Sequence, residues 1–165
     1  MCKNKGDIMK LTDIKNASDS ALFAEKGYDV FGFDREAVRA RTKAATEWIH
    51  FGAGNIFRAF PAAVLQTLLD KRCMDKGVVV CEGFDYEIIE KAYHPYDDLS
   101  LLVVLKADGS IEKKVIGSVV ESLTMDEGNA ADMARLMEIF SSPSLKMASF
   151  TITEKGYAIT TSDGN

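Results

Sequence analysis

The stretch EWIHFGAGNIFRAFPAAVLQTLLD, residues 47–70, holds the residues whose types and spacing most directly suggest chemistry. Gly52 and Gly54 follow a short apolar run and precede a helical pattern, an order that brings backbone N–H groups and the positive end of a helix dipole to one point. Such a point suits a pyrophosphate, because Gly52 allows a tight turn and Gly54 a close approach of the backbone to phosphate. The third glycine of a GxGxxG pattern is replaced by Phe57. Spacing alone therefore leaves two interpretations open, a nucleotide-binding turn and an ordinary strand-to-helix turn.

Two neighbouring residues bear on these two interpretations in opposite directions. Arg58 lies in the first helical turn, where a cation is unfavourable against the helix dipole unless an anion binds beside it, and this favours a ligand. Pro61 cannot donate a backbone hydrogen bond and crowds the carbonyl of Phe57, so it predicts a helix that starts late or bends there.

An acidic residue stands where a nucleotide ribose could be bound. Glu82 directly follows the apolar run VVVC, and in dinucleotide-binding folds an acid after the second strand accepts hydrogen bonds from ribose hydroxyls. Asp85 is the reserve candidate. A carboxylate at this place repels a 2′-phosphate, which predicts NAD over NADP. The alternative interpretation is a solvated strand end.

No further catalytic or metal site is predicted. His50 lies in a strand pattern and is interpreted as a core or strand-end residue, whereas His94 lies in a surface turn. The three cysteines, Cys2, Cys73 and Cys81, lack the even count and paired spacing of a disulfide framework or zinc site, which indicates a reducing compartment.

Alternating strand and helix signals must position these residues. WIHF (48–51) and VVVC (78–81) read as buried strands, and such alternation predicts an α/β fold with a mostly parallel sheet and flanking helices. Between them a helix is expected to bury one face. That predicted face consists of Ile56, Phe60, Ala63, Val64, Thr67 and Leu68.

The second half of the chain predicts an inserted β-hairpin, a helix and another strand. SLLVVLK and EKKVIGSVV flank an Asp-Gly pair at Asp108 and Gly109, a strong hairpin signal. NAADMARLMEIF predicts a helix that ends before Pro143, and KMASFTIT predicts a buried strand. The expected buried face of that helix holds Met133, Leu136, Met137 and Phe140.

Length and composition bound the organisation of the chain. With 165 residues and 47% hydrophobic content, we expect one core, formed by residues 47–165, with residues 1–46 as an N-terminal arm packed on it. A net charge of −5 argues against nucleic-acid binding. No run approaches the ~18 apolar residues of a membrane span, so a cytoplasmic protein is expected. The polar ending TTSDGN has no closing element, which indicates a cut.

A family resemblance joins these features. The run IHFGAGNIFRAF, preceded by FDREAV and followed at a distance by SFTITEKGY, resembles the polyol-specific long-chain dehydrogenases, the family of mannitol dehydrogenase. The likeness extends from about Phe31 to Tyr157, and the glycine motif with its arginine is fairly specific when TEKGY accompanies it. It implies a Rossmann-like domain that binds NAD in an enzyme transferring hydride between NAD(H) and a sugar acid, D-mannonate or D-fructuronate.

The resemblance also assigns site residues by position. Where family members often show His-Arg-Ala-His-Gln, this chain reads FRAFP (57–61), a departure that bears on side-chain contacts and not on backbone contacts. By position, Gly52, Gly54, Asn55, Ile56, Phe57 and Arg58 match the pyrophosphate loop, Glu82 or Asp85 falls near the ribose, and Thr153, Glu154 and Lys155 match a strand end facing the cofactor or the domain cleft.

The family's catalytic lysine, asparagine and histidine belong, by the same resemblance, to a helical C-terminal domain that these 165 residues do not contain. We therefore expect the chain alone to be inactive and open to self-association through an exposed domain interface. Three alternatives remain open: another reaction of the family, such as tagaturonate reduction or mannitol oxidation; an S-adenosylmethionine-binding methyltransferase domain; and a non-catalytic nucleotide-binding module.

Overall fold

The computed structural model of the chain describes residues 10–14 and 20–152. Within these ranges seven strands form two sheets. The strands are β1 (Tyr28–Val30), β2 (Trp48–Phe51), β3 (Val78–Glu82), β4 (Ser100–Leu105), β5 (Ile111–Ile116), β6 (Val119–Thr124) and β7 (Met147–Phe150).

Helices connect the strands of the same described ranges. They are α1 (Ala21–Glu25), α2 (Arg35–Ala44), α3 (Asn55–Ala59), α4 (Pro61–Asp70), α5 (Glu87–Ala92) and α6 (Ala130–Ser141), with short 3-10 helices at Leu11–Asp13 and His94–Tyr96.

The larger sheet is parallel throughout, with strand order β6-β3-β2-β7. Counted along the chain from β2, this order is 3-2-1-4, which is the beginning of the doubly wound dinucleotide-binding topology. The strand order reverses between β2 and β7, and ligands in such sheets bind outside the carboxyl ends of the strands at this switch point. The prediction of a mostly parallel, Rossmann-like sheet is confirmed.

The parallel sheet is covered on both faces. Along β3 the side chains alternate, so that Val78 and Val80 join a core with α2, α4 and α5, while Val79 and Cys81 join a second core with α6. All five residues of β3 are buried. A continuously apolar strand is what a sheet covered on both faces requires, and this strand was predicted from that pattern.

The smaller sheet has the order β1-β5-β4 and contains the predicted hairpin. Gly109 lies in its turn at φ 83°, and β4 pairs antiparallel with β5. The strand-like run EKKVIGSVV on the far side of the hairpin signal is divided between β5 and β6, because the chain passes from one sheet to the other at Gly117–Ser118. A side chain at Gly117 would lie 2.5 Å from the ring of Phe31, so the crossing requires glycine.

The helix after β2 is broken, as the proline predicted, but its buried face was predicted wrongly. α3 ends before Phe60, whose φ of −119° and ψ of −71° depart from a regular helix, and Pro61 begins α4. Ile56 and Phe60 are 67% and 69% exposed. The hydrophobic pattern failed because buried Gln66 occupies the core face, where its amide donates to Val115 O and accepts from Gly117 N. The buried residues of the two helices are Phe57, Ala62, Leu65, Gln66 and Leu69.

The prediction for α6 was right in its existence and partly wrong in its face. The helix is capped at its start by the side chain of Asn129, which accepts a hydrogen bond from the backbone N–H of Asp132. Leu136 and Ile139 are buried against the sheet, whereas Met137 and Phe140 are more than half exposed.

Part of the segment assigned to an N-terminal arm adds a strand to the smaller sheet and a helix that binds the crossing between the sheets. β1 pairs parallel with β5 in the smaller sheet. Arg35 of α2 is fully buried, and its guanidinium donates to the carbonyls of Gly117 and Val119, which flank the crossing between the sheets. α2 thereby fixes the point where the chain leaves one sheet and enters the other.

Candidate functional site

The two glycines form a turn at the carboxyl end of β2, at the switch point of the parallel sheet. Gly52 has φ 103°, and a side chain there would lie 2.6 Å from Thr151 Oγ1 and 2.9 Å from the Thr151 carbonyl oxygen. Because both the conformation and the close approach exclude a Cβ atom, this position needs glycine. Gly54 differs, since a side chain there meets no atom within 4 Å.

The start of α3 presents its backbone to this open space. Gly54 is the N-cap residue, and it provides no side-chain cap. The first N–H groups of a helix lack intrahelical partners, so uncapped groups at this end remain able to bind an anion. The open side of Gly54 and the start of α3 thus lie together at the carboxyl edge of the sheet.

Glu82 is part of the turn. Its Oε2 accepts a hydrogen bond of 2.8 Å from the N–H of Ala53, and its Oε1 accepts from the N–H groups of Gly83 and Phe84 at 2.9 and 3.1 Å. The residue is only 9% exposed. Three N–H donors offset the cost of burying the carboxylate and join the end of β3 to the turn after β2.

Arg58 and Tyr93 lie on the α5 side of the turn. The Tyr93 hydroxyl donates to the carbonyl of Ala53 at 2.8 Å, and burial raises the pKa of this phenol. The Arg58 guanidinium lies 5.6 Å from the centre of the Tyr93 ring and donates to Asn55 Oδ1. Among the described residues, Arg58 Nε is the buried side-chain nitrogen without a hydrogen-bond partner.

A cleft of about 390 Å³ adjoins these residues. Asn55 and Arg58 line it from α3, Lys91 from α5, and apolar residues of β4 form another wall. Lys91 forms an ion pair with Glu87 one helical turn earlier. The cleft therefore combines two cations with an apolar surface beside the start of α3.

His50 is a buried strand residue, as its pattern predicted. It is 2% exposed, and its ring stacks on Phe57 with 4.1 Å between ring centres. Burial lowers the pKa of His50 to about 4, so the ring is neutral at neutral pH.

The structure brings Gly52, Gly54 and Glu82 together, and two other predicted site residues expose their side chains to solvent. Asp85 is exposed beyond the end of β3, and the side chain of Ile56 points largely to solvent. The predicted strand-end residues Thr153, Glu154 and Lys155 lie outside the described residues.

Several residues that shape the turn were missed from the sequence. Ser149 and Thr151 are two apart near the end of β7 and face His50, a period-2 signal that the sequence does show. Ala53 and Tyr93 carry no local signal, because Tyr93 reaches Ala53 over 40 residues of chain.

The described ranges hold neither a metal-binding cluster nor a membrane-spanning helix. Within residues 10–14 and 20–152, no cluster of three or more His, Cys, Asp or Glu side chains is placed to hold a metal ion. Over the same residues, no helix has the length and hydropathy needed to cross a bilayer.

Comparisons with known proteins give sequence relatives and a structural neighbour, while no protein-family model matches the chain. D-mannonate oxidoreductase of Thermotoga maritima is 53% identical over 147 residues, which are 89% of this chain and 27% of that protein. Mannitol 2-dehydrogenase of Cereibacter sphaeroides is 30% identical over 122 residues, covering 67% of this chain and 23% of that protein.

Solved structures share the fold, and one of them is a mannitol dehydrogenase. The ternary complex of Pseudomonas fluorescens mannitol 2-dehydrogenase with NAD and D-mannitol superimposes with a TM-score of 0.65 and 23% identity over 84% of this chain and 27% of that chain. The chain spans about a quarter of the length of the relatives it matches. By its sequence, the chain belongs to the polyol-specific long-chain dehydrogenase family, the family of mannitol dehydrogenase.

Proposed function

We propose that this chain is the NAD-binding part of an oxidoreductase that transfers hydride between NAD(H) and a sugar acid, D-mannonate or D-fructuronate. The observation that carries the proposal is the glycine turn at the switch point of a parallel sheet with 3-2-1-4 order. The 53% identity to a D-mannonate oxidoreductase supports the substrate class.

The turn fits a pyrophosphate. Gly54 leaves open space where a side chain would stand, and α3 begins there without a side-chain cap. Arg58 is close by, and its buried Nε has no partner among the described residues. We assign the pyrophosphate to the backbone of Gly52–Phe57, with Arg58 supplying positive charge.

The ribose belongs beside the two acids after β3. Glu82 accepts from the N–H of Ala53 in the turn and from the two N–H groups that follow it in sequence, and Asp85 is the exposed carboxylate of the pair. Negative charge at this place disfavours a 2′-phosphate, so the proposal includes preference for NAD over NADP. Thr153, Glu154 and Lys155, which follow β7 in sequence, are assigned to the cofactor cleft on the family resemblance.

The chain's own contribution to the reaction is binding and orientation. When bound, the nicotinamide supplies or accepts the hydride, and the protein holds it against the substrate. We assign the acid–base group acting on the substrate to a segment outside these 165 residues. The proposal also comprises a cytoplasmic location, no nucleic-acid partner, and self-association through exposed apolar side chains such as Ile56 and Phe60.

Calorimetric titration of the purified 165-residue chain tests the proposal. NADH is expected to bind saturably, with NADPH much weaker and S-adenosylhomocysteine not binding. A folded chain, verified by circular dichroism, that binds no NADH would overturn the proposal. Binding of S-adenosylhomocysteine instead would favour a methyltransferase domain.

The variant Gly54→Ala tests whether NADH binds at the glycine turn. The added methyl group meets no protein atom within 4 Å, so we expect the free energy of unfolding to change by less than about 1 kcal/mol. The same methyl group lies where the pyrophosphate must approach, so the Kd of NADH should rise roughly tenfold or more. Unchanged NADH affinity in this variant would show that the nucleotide binds elsewhere.

A further inference from the structure

His50 makes contacts at both edges of its ring and on its face. Its Nδ1 lies 2.8 Å from Ser149 Oγ and its Nε2 lies 3.2 Å from Thr151 Oγ1, both near the end of β7. Its face stacks on Phe57 with an interplanar angle of 9°. One side chain of β2 thus contacts the neighbouring strand and the helix that follows the glycine turn.

The direction of the hydrogen bonds follows from two groups that have one role only: the indole N–H of Trp48 donates, and the carbonyl of Gly52 accepts. Trp48 Nε1 can only donate, and it donates to Ser149 Oγ at 2.7 Å. Ser149 Oγ could accept a second hydrogen bond, so the ring is fixed from its other side. The Gly52 carbonyl can only accept, and the Thr151 hydroxyl donates to it, so Thr151 Oγ1 accepts from the ring. The ring proton therefore lies on Nε2, and the unprotonated Nδ1 accepts from the Ser149 hydroxyl. His50 Nε2–H donates to Thr151 Oγ1, and the Thr151 hydroxyl donates to the carbonyl of Gly52 at 3.2 Å.

Among the described residues, no charged group acts on the ring. Phe57, Ser149 and Thr151 are its partners in the described residues, and none of them ionises near neutral pH. Burial alone lowers the pKa of His50. The neutral ring with its proton on Nε2 is therefore the form that the surroundings select.

The chain of hydrogen bonds ends on the residue that most constrains the turn. Gly52 has a positive φ and packs directly against Thr151, so the position of Thr151 sets the position of Gly52. Phe57, at the other end of the turn, is held by the face of the same histidine. His50 therefore contacts Thr151, which packs against Gly52, and it also contacts Phe57, so it acts on both ends of the six-residue stretch from Gly52 to Phe57.

We infer that His50 is a positioning residue for the dinucleotide turn: as the neutral Nε2–H tautomer it connects Ser149 and Thr151 to the Gly52 carbonyl and, by stacking on Phe57, holds the turn in its binding shape. The inference rests on the proposed function for its ligand, NADH, and on the geometry alone for the tautomer. His50 acts through Thr151 and Phe57 and does not itself contact the cofactor.

Matched variants of Thr151 and His50 test the connection. Thr151→Val removes the hydroxyl that joins His50 to Gly52, whereas Thr151→Ser keeps it. The Kd of NADH, measured by calorimetry on folded protein, should rise roughly tenfold in the valine variant and stay near the wild-type value in the serine variant. His50→Phe keeps a stacked ring but loses both nitrogens, and a similar rise is expected.

Gln66→Leu is the structural control. Gln66 is also buried and also bonds two backbone groups, but it lies on α4 away from the turn. The Gln66→Leu variant should lower the Tm of the protein without changing the Kd of NADH. If Thr151→Val and His50→Phe lower Tm in the same way and keep the wild-type Kd, the positioning role is overturned.

Two measurements without NADH separate this inference from the proposed function. ¹⁵N NMR of the histidine rings at pH 7 should show His50 protonated on Nε2 and unprotonated on Nδ1. Amide hydrogen exchange across Gly52–Phe57 should be faster in Thr151→Val than in Thr151→Ser. A ring protonated on Nδ1, or equal exchange in the two variants, would contradict the inference; a wild-type chain that binds no NADH yet passes both tests would overturn only the proposed function.

Discussion

At the scale of single residues, the site depends on two buried polar side chains whose partners are far away in sequence. Glu82 brings a carboxylate into the interior at the end of β3, where three backbone N–H groups stabilise it. His50 brings a neutral imidazole under the turn, where two hydroxyl groups satisfy it. Glu82 joins the end of β3 to the turn after β2, and His50 joins β2 to the chain at the end of β7. Removing either side chain should therefore also disturb the turn.

Replacing Glu82 by alanine should lower the free energy of unfolding by about 2–3 kcal/mol, because the buried N–H of Ala53 loses its acceptor along with those of Gly83 and Phe84. The exposed acid Asp85 is the matched control, and Asp85→Ala should change the free energy by less than about 0.5 kcal/mol. Chemical denaturation at pH 7 measures both. Equal effects of the two substitutions would contradict the assigned role of Glu82.

His50 predicts a specific loss of stability in acid. Because its pKa is lowered from 6.5 to about 4 by burial, the unfolded chain takes up a proton in this pH window that the native chain does not. The free energy of unfolding therefore falls as pH drops from about 6.5 to about 4, by on the order of 3 kcal/mol from this residue, and falls no further below that.

Comparison of wild type with His50→Gln isolates this contribution, since both proteins keep the same carboxylates. Denaturation curves from pH 7 to pH 4 should show a smaller loss of stability in the variant. His94→Gln, which replaces the chain's other, half-exposed histidine, is the matched control for the loss of a histidine as such. A His50→Gln curve parallel to wild type would exclude the buried neutral histidine as a cause.

At the scale of elements, the turn between β2 and α3 combines one constrained glycine with one free glycine. Gly52 is held by its positive φ and by the neighbouring chain after β7, whereas Gly54 faces open space. Glycine is required at position 52 by the packing of the fold itself. At position 54 the fold does not require glycine, so a requirement there arises only when a ligand approaches the backbone. Their contrast is therefore informative about function.

Gly52→Ala should destabilise the protein by at least about 2 kcal/mol, since the new Cβ atom would lie 2.6 Å from Thr151 Oγ1 and 2.9 Å from its backbone oxygen in an unfavourable conformation. Thermal unfolding followed by circular dichroism measures the change. Gly54→Ala is the control for a glycine in the same turn. A Gly52→Ala variant as stable as Gly54→Ala would contradict the close packing of the turn on β7.

At the scale of the whole molecule, Arg35 connects the two sheets. Besides the carbonyls of Gly117 and Val119, its guanidinium bonds the side chain and backbone of Asp97, a residue at φ 55° after the short helix His94–Tyr96. α2, the crossing from β5 to β6 and the loop before β4 thus meet at one buried cation. Loss of this cation should loosen the attachment of the hairpin sheet to the parallel sheet.

Arg35→Met should cost on the order of 3 kcal/mol of stability, because three carbonyl acceptors lose a charged donor and Asp97 loses one of its two cationic partners. Arg41→Met is the matched control, since Arg41 lies on the same helix and is about half exposed. Its loss should stay below about 1 kcal/mol. Chemical denaturation distinguishes the two, and similar values would show that Arg35 does not join the sheets.

Local patterns determined much of this protein from the sequence. The apolar run of β3, the Asp108–Gly109 hairpin, the break before Pro61 and the glycine turn after β2 were predicted, because conformational preference and burial on both faces act over a few residues. The family likeness was confirmed by the sequence relatives.

The tertiary structure alone decided which faces are buried and which groups meet. α4 buries the face that carries Gln66 because Val115 and Gly117 supply partners about 50 residues later, and no pattern within the helix reveals them. The need for glycine at position 117, where EKKVIGSVV divides between two sheets, comes from the ring of Phe31, and the state of His50 depends on Ser149 and Thr151, about 100 residues away. A polar side chain becomes stable in the interior only where the fold brings a partner to it, so its role is determined by long-range contacts and not by its local sequence.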